Sequence, residues 1–271
     1  MFMISAKNYP DNKLLCLAVV ECVVVITVIV LGLCVFAYAD AAETVSRDEL
    51  VELAKNDPSD LLEKSLADYK NNIKDYVGTF HKQERIRGKL GKEQAIVFKF
   101  KEKPFSVFMK WEKNPGPADK LLYVEGANDN KMVVHPTGLM FWIKSVKRDP
   151  GCKAAMRSNL YPCDRFGFER LMKRLVTVQG SAEQAGVVQT KYLGFCEVGS
   201  RECVGFETVL PEVTEYGTKR VVIKIDVGYL LPVSVTSFDE QGGLISRYIY
   251  TDLKFNVSLT DEQFTPKANG L

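Results

Sequence analysis

The run Ile96-Val-Phe-Lys-Phe-Lys-Glu-Lys-Pro-Phe-Ser-Val-Phe-Met-Lys-Trp-Glu112 decides the fold. Ile96, Phe98 and Phe100 alternate with Val97, Lys99 and Lys101, and Phe105, Val107, Met109 and Trp111 alternate with Ser106, Phe108, Lys110 and Glu112. Successive side chains of a strand point to opposite faces, so a period of two predicts two half-buried strands with one dry face and one wet. Turn residues punctuate the flanking sequence at Arg87-Gly-Lys-Leu-Gly91, Asn114-Pro-Gly-Pro117, Asn128-Asp-Asn130 and Pro136-Thr-Gly138. Each of these types presets or tolerates turn backbone angles. Strands joined by such short turns form an antiparallel meander, whereas parallel neighbours need a long crossover.

The same pattern returns downstream. Val187 to Phe195, Cys203 to Val209, Lys219 to Asp226, Val233 to Asp239 and Leu244 to Asn256 read as strands, with Glu240-Gln-Gly-Gly243 as the last hairpin turn. Upstream of Tyr76 the period is helical. Ser46-Arg-Asp-Glu49 is a capping box ahead of Leu50, Val51 and Leu53, and Asp57 caps a second helix with Pro58 at its first position. In that helix Leu62, Leu66, Tyr69 and Ile73 form one apolar stripe. Lys147 to Pro162 is irregular, after which Asp164 caps a helix whose Phe168, Leu171, Leu175 and Val178 share a face, ending at Gly180. Thr260 and Gln263 make a closing capping box. No repeat or linker interrupts this order. The sequence therefore predicts one α+β domain over 40–271: a curved antiparallel meander forming an incomplete barrel, with N-terminal and mid-chain helices covering its concave face.

Ahead of this domain lies an apolar leader. Lys7 and Lys13 precede a run from Leu14 to Tyr38 interrupted by Glu21, and Ala37-Tyr38-Ala39 has the small-x-small form of a cleavage site. Cys22 to Ala39 spans 18 residues and Leu14 to Ala39 spans 26; a cleaved core runs about 7–15 and a spanning helix roughly 20. Residues 1–39 are read as a signal peptide or an N-terminal membrane anchor, and the protein as exported to the periplasm or cell envelope, tethered there if the leader stays. The 232 residues that follow keep the formal charge of +2, too near neutrality for a dedicated nucleic-acid binder. Three of the seven cysteines fall in the leader. Cys196 and Cys203 flank a polar turn and Cys152 and Cys163 bracket the irregular segment, so export predicts two disulfides. Metal is not expected, since neither Cys-x-x-Cys spacing nor an adjacent histidine supports it.

Ten aromatics lie between Tyr76 and Trp142, including both tryptophans. A meander with so many bulky residues curls as it twists, and either closes into a filled barrel or stays open around an apolar cavity. For the open form the alternation nominates Phe98, Phe100, Val107, Met109, Trp111, Val124 and Trp142 as cavity wall. Leu62, Leu66 and Tyr69, with Leu171 and Leu175, are the expected lid. The run Lys82-Gln-Glu-Arg85 beside Lys99, Lys101 and Lys110 is expected on the solvated face as cross-strand ion pairs, the alternative being a basic rim that attracts anionic lipid headgroups or an acidic partner. His81 and His135, the two histidines of the chain, sit on a strand and at a turn. With no Gly-x-Ser-x-Gly elbow, phosphate loop or His-Glu-x-x-His motif, neither an enzyme nor a cofactor is expected.

The segments Tyr76-Val-Gly-Thr-Phe-His-Lys-Gln-Glu-Arg-Ile-Arg-Gly-Lys-Leu90, Glu102-Lys-Pro-Phe-Ser-Val107, Met109-Lys-Trp111 and Leu122-Tyr-Val-Glu-Gly126 resemble an uncharacterised family of exported bacterial proteins, the domain of unknown function fifteen-seventy-one. Tyr250-Thr-Asp-Leu-Lys-Phe-Asn256 with Leu259-Thr-Asp-Glu-Gln-Phe264 is similar to the ending common there. More distantly, the order of elements resembles the LolA-like group of lipoprotein carriers and envelope-stress regulators. That resemblance implies an incomplete barrel holding acyl chains under a helical lid, and no catalytic residues. The expectation is a monomeric, non-catalytic binder of a lipid or lipoprotein acyl chain. The alternatives are an envelope sensor on the same fold that engages a lipoprotein or an inner-membrane protein partner, and an envelope hydrolase.

Overall fold

The computed structural model describes residues 45–184, 189–210 and 217–271. The leader read in residues 1–39 and the strand start placed at Val187 lie outside the described residues. Ser46 caps helix α1 (Arg47–Asn56), its hydroxyl accepting from the Glu49 N–H at 3.1 Å, while the Glu49 carboxylate pairs with Lys64 at 3.0 Å. Asp57 caps α2 (Pro58–Asn72) by accepting from the Asp60 N–H at 3.0 Å, with Pro58 opening the helix.

The strands are β1 (Asp75–Ile86), β2 (Lys89–Leu90), β3 (Gln94–Lys101), β4 (Ser106–Lys113), β5 (Ala118–Val124), β6 (Met132–Pro136) and β7 (Val146–Arg148), then β8 (Gln189–Val198), β9 (Arg201–Val209), β10 (Arg220–Asp226), β11 (Pro232–Phe238) and β12 (Leu244–Phe255). They form one antiparallel sheet in the order β7-β6-β5-β4-β3-β1-β12-β11-β10-β9-β8, with β2 paired to β1. The order records a path. The chain enters at the centre with β1, steps outward to β7, crosses through α3 (Lys153–Met156) and α4 (Phe168–Gln184), and steps inward from β8 to β12. There β12 pairs with β1 from Tyr76–Phe255 to Glu84–Ser246. β7 and β8 end the sheet without pairing to each other, so the barrel is incomplete.

α2 packs on α4, and α1 packs on α2, β8 and β9. Helix α4 continues past Gly180, where the sequence reading ended it. The buried Thr208 hydroxyl donates to Gln179 Oε1 at 3.0 Å, a tertiary contact in the last turns. Such contacts outweigh the roughly 1 kcal/mol that an interior glycine costs a helix. Beneath the helices Tyr76, Phe98, Phe100 and Phe168 are fully buried. The Tyr76 ring lies 4.8 Å from Phe100 and 5.3 Å from Phe168 between centroids. Its hydroxyl accepts the Phe168 N–H at 3.0 Å, satisfying a donor that the first turn of α4 leaves without a helical partner. Burial holds that hydroxyl well above its ordinary pKa.

The convex face is covered as well. Phe264 and Leu271 pack against Leu122 and Val133, with Phe108, Val124 and Leu259 around them. Thr260 and Gln263 cap each other's backbone there, as the sequence indicated.

All four cysteines of the domain are free thiols, in place of the two expected disulfides. Cys196 and Cys203 are register partners of β8 and β9, yet their sulfurs are not bonded and meet different neighbours. Cys203 Sγ faces the Arg201 carbonyl at 3.7 Å, and Cys196 Sγ leans toward the space that the missing side chain of Gly205 leaves. Cys163 Sγ faces Met132 Sδ at 3.9 Å. Burial pushes the Cys203 thiol up to about 12 and raises Cys163 as well, so neither has thiolate character near neutrality.

Candidate functional site: an apolar hollow with a polar end

The concave face is solid at one end and hollow at the other. Around Tyr69, Tyr76 and Phe168 the aromatic rings fill the space between sheet and helices. Farther along β1 a cavity of about 320 Å³ opens. Its floor is laid by alternate residues of adjacent strands: Phe80 of β1, Ile96 of β3, Met109 and Trp111 of β4, Leu121 of β5 and Val134 of β6. Its roof is the connection between β7 and α4, through Ala154, Ala155, Tyr161, Pro162 and Phe166, and then Leu171 of α4.

Of the residues nominated from sequence, the structure brings Met109, Trp111 and Leu171 to this cavity. Phe98, Phe100 and Val107 are on the same side of the sheet but fully buried in the solid end. Val124 lies on the convex face against the Phe264 cluster, because Leu121 and not Leu122 is the inward residue of β5. Trp142 is 69 % exposed, in the turn between β6 and β7 and not in a strand. Leu62 and Tyr69 of α2 are buried, Leu66 is half-buried, and Leu175 is buried on α4; none of the four borders the cavity. The irregular segment 149–167 forms the roof instead. Periodicity could not reveal it, since the segment has none.

The larger surprise is the run around Lys82. Tyr76, Gly78, Phe80, Lys82 and Glu84 share one phase of β1, so Lys82 and Glu84 face inward, each 7 % exposed, not out to solvent. Lys82 Nζ lies 3.3 Å from Glu84 Oε2 and donates to Asn159 Oδ1. Glu84 also accepts from the Tyr248 hydroxyl at 2.5 Å and the Leu160 N–H at 3.2 Å. The pair is thus embedded in a hydrogen-bonded network, the condition under which a buried charge pair is tolerated. Burial, followed by the Glu84 charge, raises the Tyr248 hydroxyl well above its ordinary pKa.

Lys82, Glu84, Gln94 and Ser158 border a second depression as well, a groove of about 520 Å³. Its other charged side chains are Arg87, Lys89, Lys92 and Arg157. The wet end of the hollow therefore continues into a basic groove.

The remaining titratable candidates hold structural posts. His81 Nε2 is 3.1 Å from Thr251 Oγ1. His135 links Asp119 Oδ1 (2.6 Å) to the Phe141 carbonyl (3.1 Å), fastening the β6–β7 turn to the sheet. In that turn Leu139 is 88 % and Phe141 67 % exposed, and Met140 borders the hollow. Among the described residues no three histidine, cysteine or acidic side chains cluster as a metal site, and no helix is long and apolar enough to cross a membrane.

Several solved structures are similar to the chain at low identity. The complex of MucA and MucB from Pseudomonas aeruginosa aligns over 77 % of this chain and 60 % of that one, at 15 % identity and a TM-score of 0.47. The lipoprotein LppX of Mycobacterium tuberculosis aligns over 76 % and 99 %, at 11 % identity and 0.42. A LolA superfamily protein of Nitrosomonas europaea aligns over 76 % and 96 %, at 10 % identity and 0.28. This chain spans about three fifths of the MucB structures it matches. No curated protein matches the sequence. A family model, by contrast, matches residues 73–270, from the start of β1 through the segment that covers the convex face. On that match the chain belongs to the family described as protein of unknown function (DUF1571).

Proposed function

We propose that the protein is an exported, non-catalytic binder that holds a lipid or lipoprotein acyl chain in the hollow, in the manner of a carrier. The observation that supports this is the hollow itself. A sheet with aromatics enough to fill its concave face leaves about 320 Å³ open, walled by Ile96, Met109, Leu121 and Leu171. That volume lies at the lower end of the roughly 300–1,000 Å³ of small-molecule sites. Burial of each methylene is worth about 0.8 kcal/mol, so a chain of about twelve carbons is retained without special chemistry. The apolar leader of residues 1–39 supports delivery to the periplasm or cell envelope.

Native mass spectrometry of protein purified from its own host tests the reading. It predicts adducts with lipid masses, and loss of them in Ala155→Trp, which fills the hollow from its roof. Adduct-free protein that also fails to bind a fluorescent fatty acid would overturn it.

A second reading, a sensor that engages a lipoprotein or membrane-protein partner, is favoured by one feature. The consecutive Leu139, Met140, Phe141 and Trp142 are all exposed at the rim of the hollow. Contiguous exposed apolar residues of this kind mark interaction sites more often than isolated ones do. Photocrosslinking from position 141 in the host, with a membrane protein recovered in place of lipid, would favour it.

A further inference from the structure

We infer that the groove bordered by Arg87, Lys89, Lys92 and Arg157 is the headgroup site for a phosphate-bearing amphiphile whose chain occupies the hollow. The inference rests on the chain-binding reading above and adds the chemical class of the ligand.

The first argument is continuity. Lys82, Glu84, Gln94 and Ser158 belong to both depressions, so a chain running the length of the hollow delivers its polar end into the groove. The second is charge. The groove is bordered by five cations and one acid, and the acid, Glu84, is already engaged by Lys82, Tyr248 and the Leu160 N–H. Arg87, Lys89, Lys92 and Arg157 have no ion-pair partner among the described residues.

Elsewhere on the sheet several cations are matched one to one: Arg85 by Asp239, Arg201 by Asp226, Arg220 by Glu207, Lys101 by Asp261. Four unmatched cations around one concavity repel one another and are relieved by an anion. The third argument is placement. Arg87 (φ 51°) and Gly88 (φ 79°) make the tight turn between β1 and β2, and the Gly91 N–H donates to the Glu84 carbonyl at 2.9 Å. This hairpin contributes Arg87 and Lys89 to the groove, and the roof segment contributes Arg157. Guanidinium and ammonium groups supplied to one groove by two elements suit the several acceptor oxygens of a phosphate better than the single plane of a carboxylate.

The test compares three probes on the full domain by titration calorimetry, each below its micelle concentration: palmitoyl lysophosphatidic acid, monopalmitoylglycerol of the same chain, and glycerol phosphate. The lysophosphatidic acid is expected to bind about tenfold or more tighter than the uncharged lipid, as one or two charge-assisted hydrogen bonds provide. That advantage is expected to shrink in about 0.5 M salt. In the quadruple variant Arg87→Gln, Lys89→Gln, Lys92→Gln and Arg157→Gln, all exposed positions, it should vanish while the affinity for monopalmitoylglycerol is unchanged. Equal affinity for the two lipids in the native protein, or an advantage that survives the quadruple variant, would overturn the headgroup site and leave chain binding standing. Failure of both lipids to bind would overturn both. Glycerol phosphate binding as tightly as the lysolipid would reassign the groove to free phosphate esters, and so also overturn the proposal.

Discussion

Glu84 holds the wet end of the hollow together, and its removal is the most informative single substitution. In Glu84→Ala the buried Lys82 ammonium keeps only Asn159, and the Tyr248 hydroxyl loses its acceptor. Stranding a buried charge in this way costs about 3–5 kcal/mol, which urea unfolding would register. Gly167 is constrained differently. Its φ is +104°, and a Cβ there would lie 2.7 Å from Phe100 Cζ, so Gly167→Ala should destabilise by about 1–3 kcal/mol or more. Glu102 gives a pH signature. Burial raises its carboxyl above the ordinary value, partly opposed by the hydrogen bond from the Tyr69 hydroxyl. A raised acid contributes stability fully below its unfolded pKa and loses it as pH rises through the folded pKa. Glu102→Gln keeps an acceptor for Tyr69, so the variant should gain on the native protein between about pH 4 and pH 7, read as urea midpoints at the two values. At this scale the sequence was legible wherever the phase of alternation was followed. Phe80, Lys82 and Glu84 lie two apart, as do Trp111 and Met109. Charge alone suggested that Lys82 faces water, but the strand's geometry, anchored by Tyr76, turns it inward.

Among the elements, α4 depends most on what lies beneath it. The Tyr76 hydroxyl serves the first turn, and Gln179 meets Thr208 near the last. Tyr76→Phe leaves the buried Phe168 N–H without its acceptor and should cost about 1–3 kcal/mol, with faster amide exchange at the start of α4. Helices, strands and most caps were legible because each is a local agreement between period and terminating residue: Ser46, Asp57 and the Thr260–Gln263 pair cap as their sequence indicates. Asp164, expected to cap α4, lies instead in a 3-10 turn (Cys163–Arg165) ahead of the helix start at Phe168, and Glu49 pairs with Lys64 instead of closing a capping box. The lid was not legible. α2 carries the apolar stripe that a lid would need, but spends it on α4 and the aromatic core, and the roof falls to a segment with no periodic signal. The edge of a hollow is a property of neighbouring elements, and a pattern within one of them cannot report it.

In the whole molecule, the sheet is sandwiched on both faces where β4, β5 and β6 run. Deleting residues 259–271 would remove Phe264 and Leu271 and uncover Leu122 and Val133. The loss should exceed about 3 kcal/mol and show as a lower urea midpoint and increased dye binding by the exposed face. The open meander itself was readable from its short turns, because antiparallel neighbours need nothing longer. Which strands meet at the centre was not, since the β1–β12 pair joins positions from 179 (Tyr76–Phe255) to 162 (Glu84–Ser246) residues apart. That pairing carries a cost in time. A ribosome adds roughly 5–20 residues per second, so β1 waits about ten seconds or more for its partner, hydrogen-bonded to β3 on one flank and bare on the other. Until β12 emerges the nascent chain therefore displays a strand edge twelve residues long, open to any other half-made copy. The sheet's middle is its last part to be finished, and crowding of newborn chains, not heat, should be the condition under which this protein aggregates most readily.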